Sequence, residues 1–436
     1  MRFFLVIFIF LSSIPAISQE NSLLKSGPML GYAEMRETLV WLQFTKSVEA
    51  ELKYWAIGSN DTLKSTTIKT NADDGFTVKF VLGNLEPGLS YNYKIIADNK
   101  NLNQKNYSFK TQPIWQYRTD PPSLKFALGS CTYINELEFD RPGEPYGGQY
   151  EIFETINSMN PDAMLWLGDN TYFREADVNS WSGILHRYTH TRSVNEMQNL
   201  LASCNNYAIW DDHEFGPNDA DGSFIHKDLT LKAFKLFWGN NGFGINEKPG
   251  ITNQFTYGDV DFFMLDNRYN RTPQFDYLPK QILGDEQINW LVAALKASKA
   301  SFKLIAVGGQ FLNSAAVYEN HEVFKKEKEK LIDLLKKENI KGVVFLTGDR
   351  HHTELSKYTD ADNYTLFDLT VSPLSASATK PNMEENKYRI EGTKIHERNF
   401  GVIDVIGPLG ERTLDISIFN VRGEMLWRKT ISQDDF

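Results

Sequence analysis

Two textures of hydrophobic and polar positions divide the chain. Between residue 27 and about residue 117, short runs rich in β-branched and aromatic residues (GYAEMRETLVWLQF, EAELKYWAIG, STTIKT, GFTVKFVLGNL, SYNYKIIAD, NYSFKTQ) are separated by Asn, Asp, Gly and Pro turns. That alternation predicts a compact all-β unit. From Pro121 the texture changes: KFALGS, AMLWLGD, YAIWDD, VDFFMLDNR, FKLIAVGGQ and GVVFLTGDRHH read as buried strands. Between them lie amphipathic stretches such as GQYEIFETINSM, DEQINWLVAALKAS and KKEKEKLIDLLKKEN, the last with leucines on one face and a charge run expected to be solvated. Strands alternating with helices predict a layered α/β domain. GVIDVIG, RTLDISIFN and MLWRKTI then return to strand alternation.

The first residues, MRFFLVIFIFLSSIPAISQE, have one positive charge, an apolar run and then small residues with a proline. This is the pattern of a cleaved export signal over residues 1–18, and the run is shorter than the roughly 20 apolar residues of a membrane span. An exported product, periplasmic or secreted and without a stable membrane anchor, is therefore expected. The 436 residues exceed one ordinary core, which implies residues 19–117 and 118–436 as two domains. A formal net charge of -10 argues against general nucleic-acid binding but not against a small phosphate substrate, because metal ions reverse the local potential. Only Cys131 and Cys204 are present, and in an exported protein one disulfide is the first expectation.

Nearly every cluster of metal-binding side chains follows directly on one of the predicted strands. KFALG is followed by Ser130, Cys131 and Tyr133, and AMLWLG by Asp169, Asn170 and Tyr172. YAIW leads into Asp211, Asp212, His213 and Glu214, FFML into Asp266, Asn267 and Arg268, and VVFLTG into Asp349, Arg350, His351 and His352. Open α/β sheets bind ligands at the carboxyl ends of their strands, so these clusters can converge. Buried together without a cation, such groups would each be unpaired at a cost of several kcal/mol, roughly. Tyr and Cys suit a ferric-type ion, and Asp and Asn oxygens suit calcium, magnesium or manganese. Two metals sharing a carboxylate would activate water and clamp a phosphate oxygen, with Arg268 stabilising the charge of the transferring group.

ALGSCTY, WLGDNTYF, IWDDHEFGPND, LDNRYNR, LGDEQINWL and LTGDRHH, in this order, resemble the PhoD-like alkaline phosphatase family of the calcineurin-like metallophosphoesterases. The resemblance covers about Pro121 to the C-terminus and implies a four-layer αββα sandwich. LEPGLSYNYKI resembles the corner of fibronectin type III domains, with Tyr91 bonding back to the backbone, which implies a small β-sandwich in front of the catalytic domain. Carried over by motif, Cys131, Asp169, Tyr172 and His351 would surround Fe3+, and Asp169 would bridge to one or two Ca2+ ions held also by Asp212 and Asp349. Other divalent metals remain open. His213 would contact the phosphate and protonate the leaving oxygen, with Asp211 orienting His213 and Glu214 in support. GDRH puts Asp349 where the wider superfamily has a histidine, which favours a harder metal.

The resemblance also makes Cys131 a thiolate ligand and leaves Cys204 a buried hydrophobe. Asn218 and Asp219 stay open between a calcium oxygen and a loop former. Gln310 is at most a substrate contact, His352 a satisfied neighbour, Asn170 structural, and His186 and His190 lack a motif. RPGEPYGGQY and FWGNNGFGINEKPG read as surface loops, with lids as the alternative. The activity implied is exported, metal-dependent hydrolysis of small phosphate monoesters or diesters. A phosphodiesterase or phospholipase-type preference is the enzymatic alternative, and a non-catalytic surface binding protein the alternative from another class.

Overall fold

The computed structural model describes residues 23–103, 105–274, 279–381 and 384–436; the expected export signal lies outside them. The apolar strands after residue 121 form where the pattern predicts, as two mixed sheets lying face to face. In the first, Leu124–Gly129, Ala163–Leu167 and Asn205–Ile209 run parallel, and Asn399–Ile406, Thr413–Asn420 and Met425–Ser432 extend one side antiparallel. In the second, Val260–Met264, Phe302–Ala306, Val343–Thr347 and Thr365–Thr370 run parallel between the antiparallel edges Asn253–Tyr257 and Glu354–Thr359.

Strand periodicity explains the layering. Phe262, Leu304 and Val344 point into the core between the sheets, where Phe262 meets Phe126 edge-on at 4.9 Å. Their neighbours Phe263, Ile305 and Phe345 point the other way, onto Leu291, Leu295, Leu331 and Leu335 of the helices Asp285–Ala297 and Lys325–Lys337. A parallel strand covered on both faces is apolar at every position, which is why these runs read as unbroken. Ile152–Ser158 and Asn195–Ser203 cover the outer face of the first sheet. The charge run of Lys325–Lys337 departs from a wholly solvated face at Glu327, which is buried and accepts the N–H groups of Ile282, Leu283 and Gly284 at 2.9–3.0 Å.

The N-terminal β unit is joined to this framework more closely than its sequence suggests. Leu24–Ala33, Thr38–Phe44 and Thr77–Leu82 continue the first of the two facing sheets, because Leu24–Ala33 pairs in parallel with Asn205–Ile209 at Leu30 and Asn205. Trp41 and Leu39 face the core of the α/β layers, while Val40, Leu42 and Phe44 face a separate core shared with Leu52, Tyr93 and Ile95. That second core lies under a sheet built on Glu49–Ala56 and Ser90–Ala97. The Tyr91 hydroxyl accepts the Glu86 N–H at 2.8 Å, closing the corner. Buried Gln112 stitches the halves: its amide donates to the Ala33 and Thr256 carbonyls at 2.8 and 3.0 Å and accepts from Gly258 N–H at 3.0 Å.

The loop FWGNNGFGINEKPG packs against the strand Leu24–Ala33. A Cβ on Gly31 would stand 2.6 Å from the Gly239 carbonyl oxygen, so the two backbones meet only as glycines.

Candidate metal centre

Three of the predicted ligand clusters, those after Leu124–Gly129, Ala163–Leu167 and Val343–Thr347, leave their strands by a sharp turn. Cys131, Asp169, Asp349 and His351 all have positive φ, between 54° and 71°. For Cys, Asp and His this costs of order 1 kcal/mol or more each, and such strain persists where the surroundings enforce a function. The turns aim the side chains inward, where they form contiguous groups with ligand atoms within 4.8 Å of one another: Cys131, Asp169 and His351; Asp169, Asp212 and His213; Asp211, Asp212 and Asp349; Asp212, Asp219 and Glu319. Asp169 belongs to the first two groups and Asp212 to the last three, so the carboxylates link them into one centre.

On the thiolate side, Cys131 Sγ lies 3.7 Å from Asp169 Oδ2 and receives the Ser372 hydroxyl at 3.1 Å. Burial opposes its ionisation, but His351, Ser372 and Ser130 outweigh that and bring the thiol below its ordinary value. Burial alone would lower His351, yet the Cys131 charge and the Ser377 carbonyl raise it to about 9. His351 Nδ1 lies 2.6 Å from the Ser377 carbonyl oxygen. With Nδ1 held on that carbonyl, Nε2, 3.5 Å from Tyr172 OH, is the nitrogen that would give up its proton to a metal, the usual way a metal-binding imidazole is oriented. Tyr172 OH also lies 3.3 Å from Asp169 Oδ2, and its ring packs against His213 with centroids 4.0 Å apart and planes tilted by 31°. Cys131 and Cys204 are both free thiols, so no disulfide joins them. Cys204 ends the helix Asn195–Ser203, and burial pushes its thiol up to about 12.

On the carboxylate side, negative charge exceeds what the protein neutralises. Burial and then neighbouring carboxylates hold Asp169 and Asp349 well above the ordinary aspartate range. Burial likewise raises Asp211 to about 6 despite Arg268. Burial acts the same way on Asp212, but His213 and Arg268 overcome it and hold that carboxylate low. Asp211 Oδ2 and Asp212 Oδ1 are buried and meet no hydrogen-bond donor among the described residues. Orphaned carboxylate oxygens beside a thiol, a phenol and an imidazole fit metal ions, which would remove both the desolvation penalty and the mutual repulsion.

Several expected roles change with the geometry. Asp211 does not orient His213; its Oδ1 accepts from Asn267 Nδ2 at 2.7 Å and from Arg268 Nε at 2.5 Å, and backbone approach confines it, since a Cβ on Gly308 would stand 2.5 Å from its carboxyl. Asp211 therefore positions Arg268. The Arg268 guanidinium is fully buried and also meets Glu319 and the Ala220 carbonyl, so it lies within a carboxylate network. Gln310 is no substrate contact: its amide is spent on Glu354, Thr370, Arg350 and Asn313 inside the protein.

Glu214 is buried, accepting the N–H groups of Asn170 and Asp211 and so bracing the turn Asp212–Phe215. Asn170 ties the second strand to the third through the Ile209 carbonyl at 2.9 Å. His352 faces Glu354 at 3.6 Å, and His186 faces Glu136 at 3.0 Å. Asp219 accompanies Asp212, its N–H donating to Asp212 Oδ2 at 2.7 Å, and Asn218 beside it is exposed.

The strand-end pattern missed Glu319, Arg271, Ser372 and Ser377. Glu319 and Arg271 pair with each other, and Glu319 comes from an irregular loop that hydropathy does not mark. Ser372 follows the strand Thr365–Thr370, whose end SPLSAS, like the VGGQF after Phe302–Ala306, carries no acidic, histidine or cysteine side chain to flag it.

Facing mixed sheets with helices outside and hard ligands gathered at one set of strand ends define a metallophosphoesterase-type protein. The profile of the PhoD-like phosphatase family matches residues 126–404, and the chain belongs to that family. Alkaline phosphatase D of Bacillus subtilis (strain 168) is 24% identical over 327 residues, 61% of this chain and 54% of the relative, so the match spans about half of the relative's length. A solved structure of PhoD superposes with a TM-score of 0.73 at 17% identity, covering 93% of this chain and 91% of that one. Purple acid phosphatase PPD1 from yellow lupin (Lupinus luteus) seeds superposes with a TM-score of 0.69 at 14% identity, covering 93% and 74%. At these identities the structural likenesses establish the fold.

Proposed function

We propose that this protein is a metal-dependent phosphoesterase acting on small phosphate esters outside the cytoplasm. The observation that carries this reading is the linked set of buried ligands at one end of two facing sheets, with carboxylate oxygens that no donor among the described residues satisfies. Cys131, Asp169, Tyr172 and His351 would hold Fe3+, and Asp169, Asp212 and Asp349 one or two Ca2+ ions, with Asp219 and Glu319 as further oxygen donors. Bound metals supply an activated water and neutralise charge on the phosphoryl oxygens.

The chain's own residues do the rest. His213, packed against Tyr172 with a ring nitrogen near Asp169 and Asp212 oxygens, directs a ring N–H at the leaving ester oxygen. Asp211 and Glu319 fix Arg268, whose positive charge then offsets the anionic centre and the phosphoryl group from a set position. The export signal expected over residues 1–18 makes the periplasm or the medium the site of action. Among the described residues no helix is long and apolar enough to cross a membrane.

Two measurements test the reading. Metal analysis of the purified protein should find iron and calcium. Asp169→Asn should lower p-nitrophenyl phosphate hydrolysis at least 100-fold, roughly, since the carboxylate shared by two ligand groups is lost; activity near wild type would overturn the scheme. Rates on a bis-p-nitrophenyl ester measured alongside would divide monoester from diester preference.

A further inference from the structure

We infer that Tyr146, on the loop RPGEPYGGQY, is a substrate-contacting residue whose hydroxyl donates a hydrogen bond to a phosphoryl oxygen of the bound ester. Three tyrosines stand together beside the thiolate side of the centre, and their hydroxyls have different fates. Tyr133 and Tyr146 meet edge to face at 4.9 Å, and Tyr146 lies 6.4 Å from Tyr172 and 5.7 Å from the His351 ring. Tyr133 spends its hydroxyl on Asp140 at 2.9 Å, with its ring under the Arg174 guanidinium at 4.0 Å. Tyr172 turns its hydroxyl to Asp169 and His351, within the ligand set. Tyr146 is left with a 3.4 Å contact to His351 Nδ1. That nitrogen already has the Ser377 carbonyl at 2.6 Å, and a nitrogen donating its proton there offers no lone pair to a phenol.

The Tyr146 hydroxyl is thus a donor without an acceptor among the described residues, on a residue 42% exposed at the edge of the metal centre. Its loop is held firmly. Asn135 makes two hydrogen bonds to the Gly147 backbone at 2.6 and 2.9 Å, Gly148 N–H donates to the Ser375 carbonyl at 3.0 Å, and Ser377 Oγ donates to the Tyr146 carbonyl at 2.8 Å. Ser377 therefore fixes both the His351 ring and the Tyr146 backbone. The ligand and the donor are positioned by one residue, as a group that must meet a metal-bound anion requires.

This assignment rests on the phosphoesterase reading, and the test separates the two. Metal-loaded wild type, Tyr146→Phe and Tyr146→Ala are compared by kcat and KM on p-nitrophenyl phosphate, by calorimetric binding of inorganic phosphate, and by iron content. Loss of one hydrogen bond to an anion predicts KM and the phosphate Kd raised roughly 5- to 10-fold in Tyr146→Phe, a comparable rise in Tyr146→Ala, and unchanged iron. Wild-type KM and phosphate affinity in Tyr146→Phe would overturn the assignment while leaving the enzyme reading intact, as would an effect seen in Tyr146→Ala alone, which would make the ring and not the hydroxyl the contact. A metal-loaded wild type that neither hydrolyses the ester nor binds phosphate would overturn the phosphoesterase reading and this assignment with it.

Discussion

The N-terminal β unit and the metal centre differ in what they put inside. The buried polar residues of the first region are hydroxyls and amides, such as Thr38, Gln43, Thr70, Thr77 and Gln112. The second buries Asp169, Asp211, Asp212, Glu214, Arg268, Arg271 and Glu319 within one cluster. Backbone conformation follows the same division. Apart from Phe76 and Tyr117, the positive-φ residues of the first region are Asn84, Asp98 and Asn99 with glycines, types that tolerate the left-handed region. At the centre Asp169 and Asp349 are of that same tolerant type, and Cys131 and His351 are the ones that add strain. Strain and buried charge lower stability, so one region stabilises the molecule and the other draws on that stability to hold ligands.

Removing Arg268 strikes the charged region hardest. Arg268→Met leaves Asp211 and Glu319 without their shared cation and should cost about 4 kcal/mol in denaturant unfolding of the metal-loaded protein. A loss below about 1 kcal/mol would mean that the bound metals, not the arginine, compensate those carboxylates.

Metal removal sharpens the contrast through pH. Asp211 is raised from 3.8 to about 6 in the folded metal-free chain. A raised carboxylate favours the protonated folded state, so its contribution is complete below its ordinary value and is lost as pH rises through about 6. The chelated protein should lose on the order of 3 kcal/mol between pH 4 and pH 7, and Asp169 and Asp349, raised in the same direction, add to the slope. The metal-loaded protein should show little of it, and parallel unfolding curves for the two forms would contradict the electrostatic account.

The smallest effect falls on the seam between the regions. Gln112→Ala strands the Ala33 and Thr256 carbonyls and the Gly258 N–H, which predicts a loss of about 2 kcal/mol with kcat unchanged. A fall in kcat would show that the N-terminal unit shapes the centre and does not merely support it.

The strands and their ligand ends were legible in the sequence because one physical rule makes both visible. A strand covered on two faces must be apolar throughout, so the first polar residues after AMLWLG or VVFLTG mark the sheet's carboxyl edge. Sequence adjacency does not tell which neighbour a carboxylate faces, and so Asp211 was expected on His213 when it holds Arg268. Glu319 escaped because its loop has no period, and Gln310 because its polarity matches a substrate contact and a buried network equally well. The corner at Tyr91 was readable from a local motif. The pairing of Leu30 with Asn205 joins residues 175 positions apart, and no local pattern encodes it.

That pairing has a consequence for how the molecule survives outside its folded context. The strand Asn205–Ile209 is buried along its whole length, and Leu24–Ala33 is what lies on its far side. Without the N-terminal unit the Asn205 end of NNYAI would be an uncharged open edge to which another chain could add, while the Ala208 N–H and C=O would stay covered by the Asn240 amide at 3.0 and 2.7 Å. Leu24–Ala33, the first described strand, therefore guards the end of that edge which the Asn240 amide leaves uncovered.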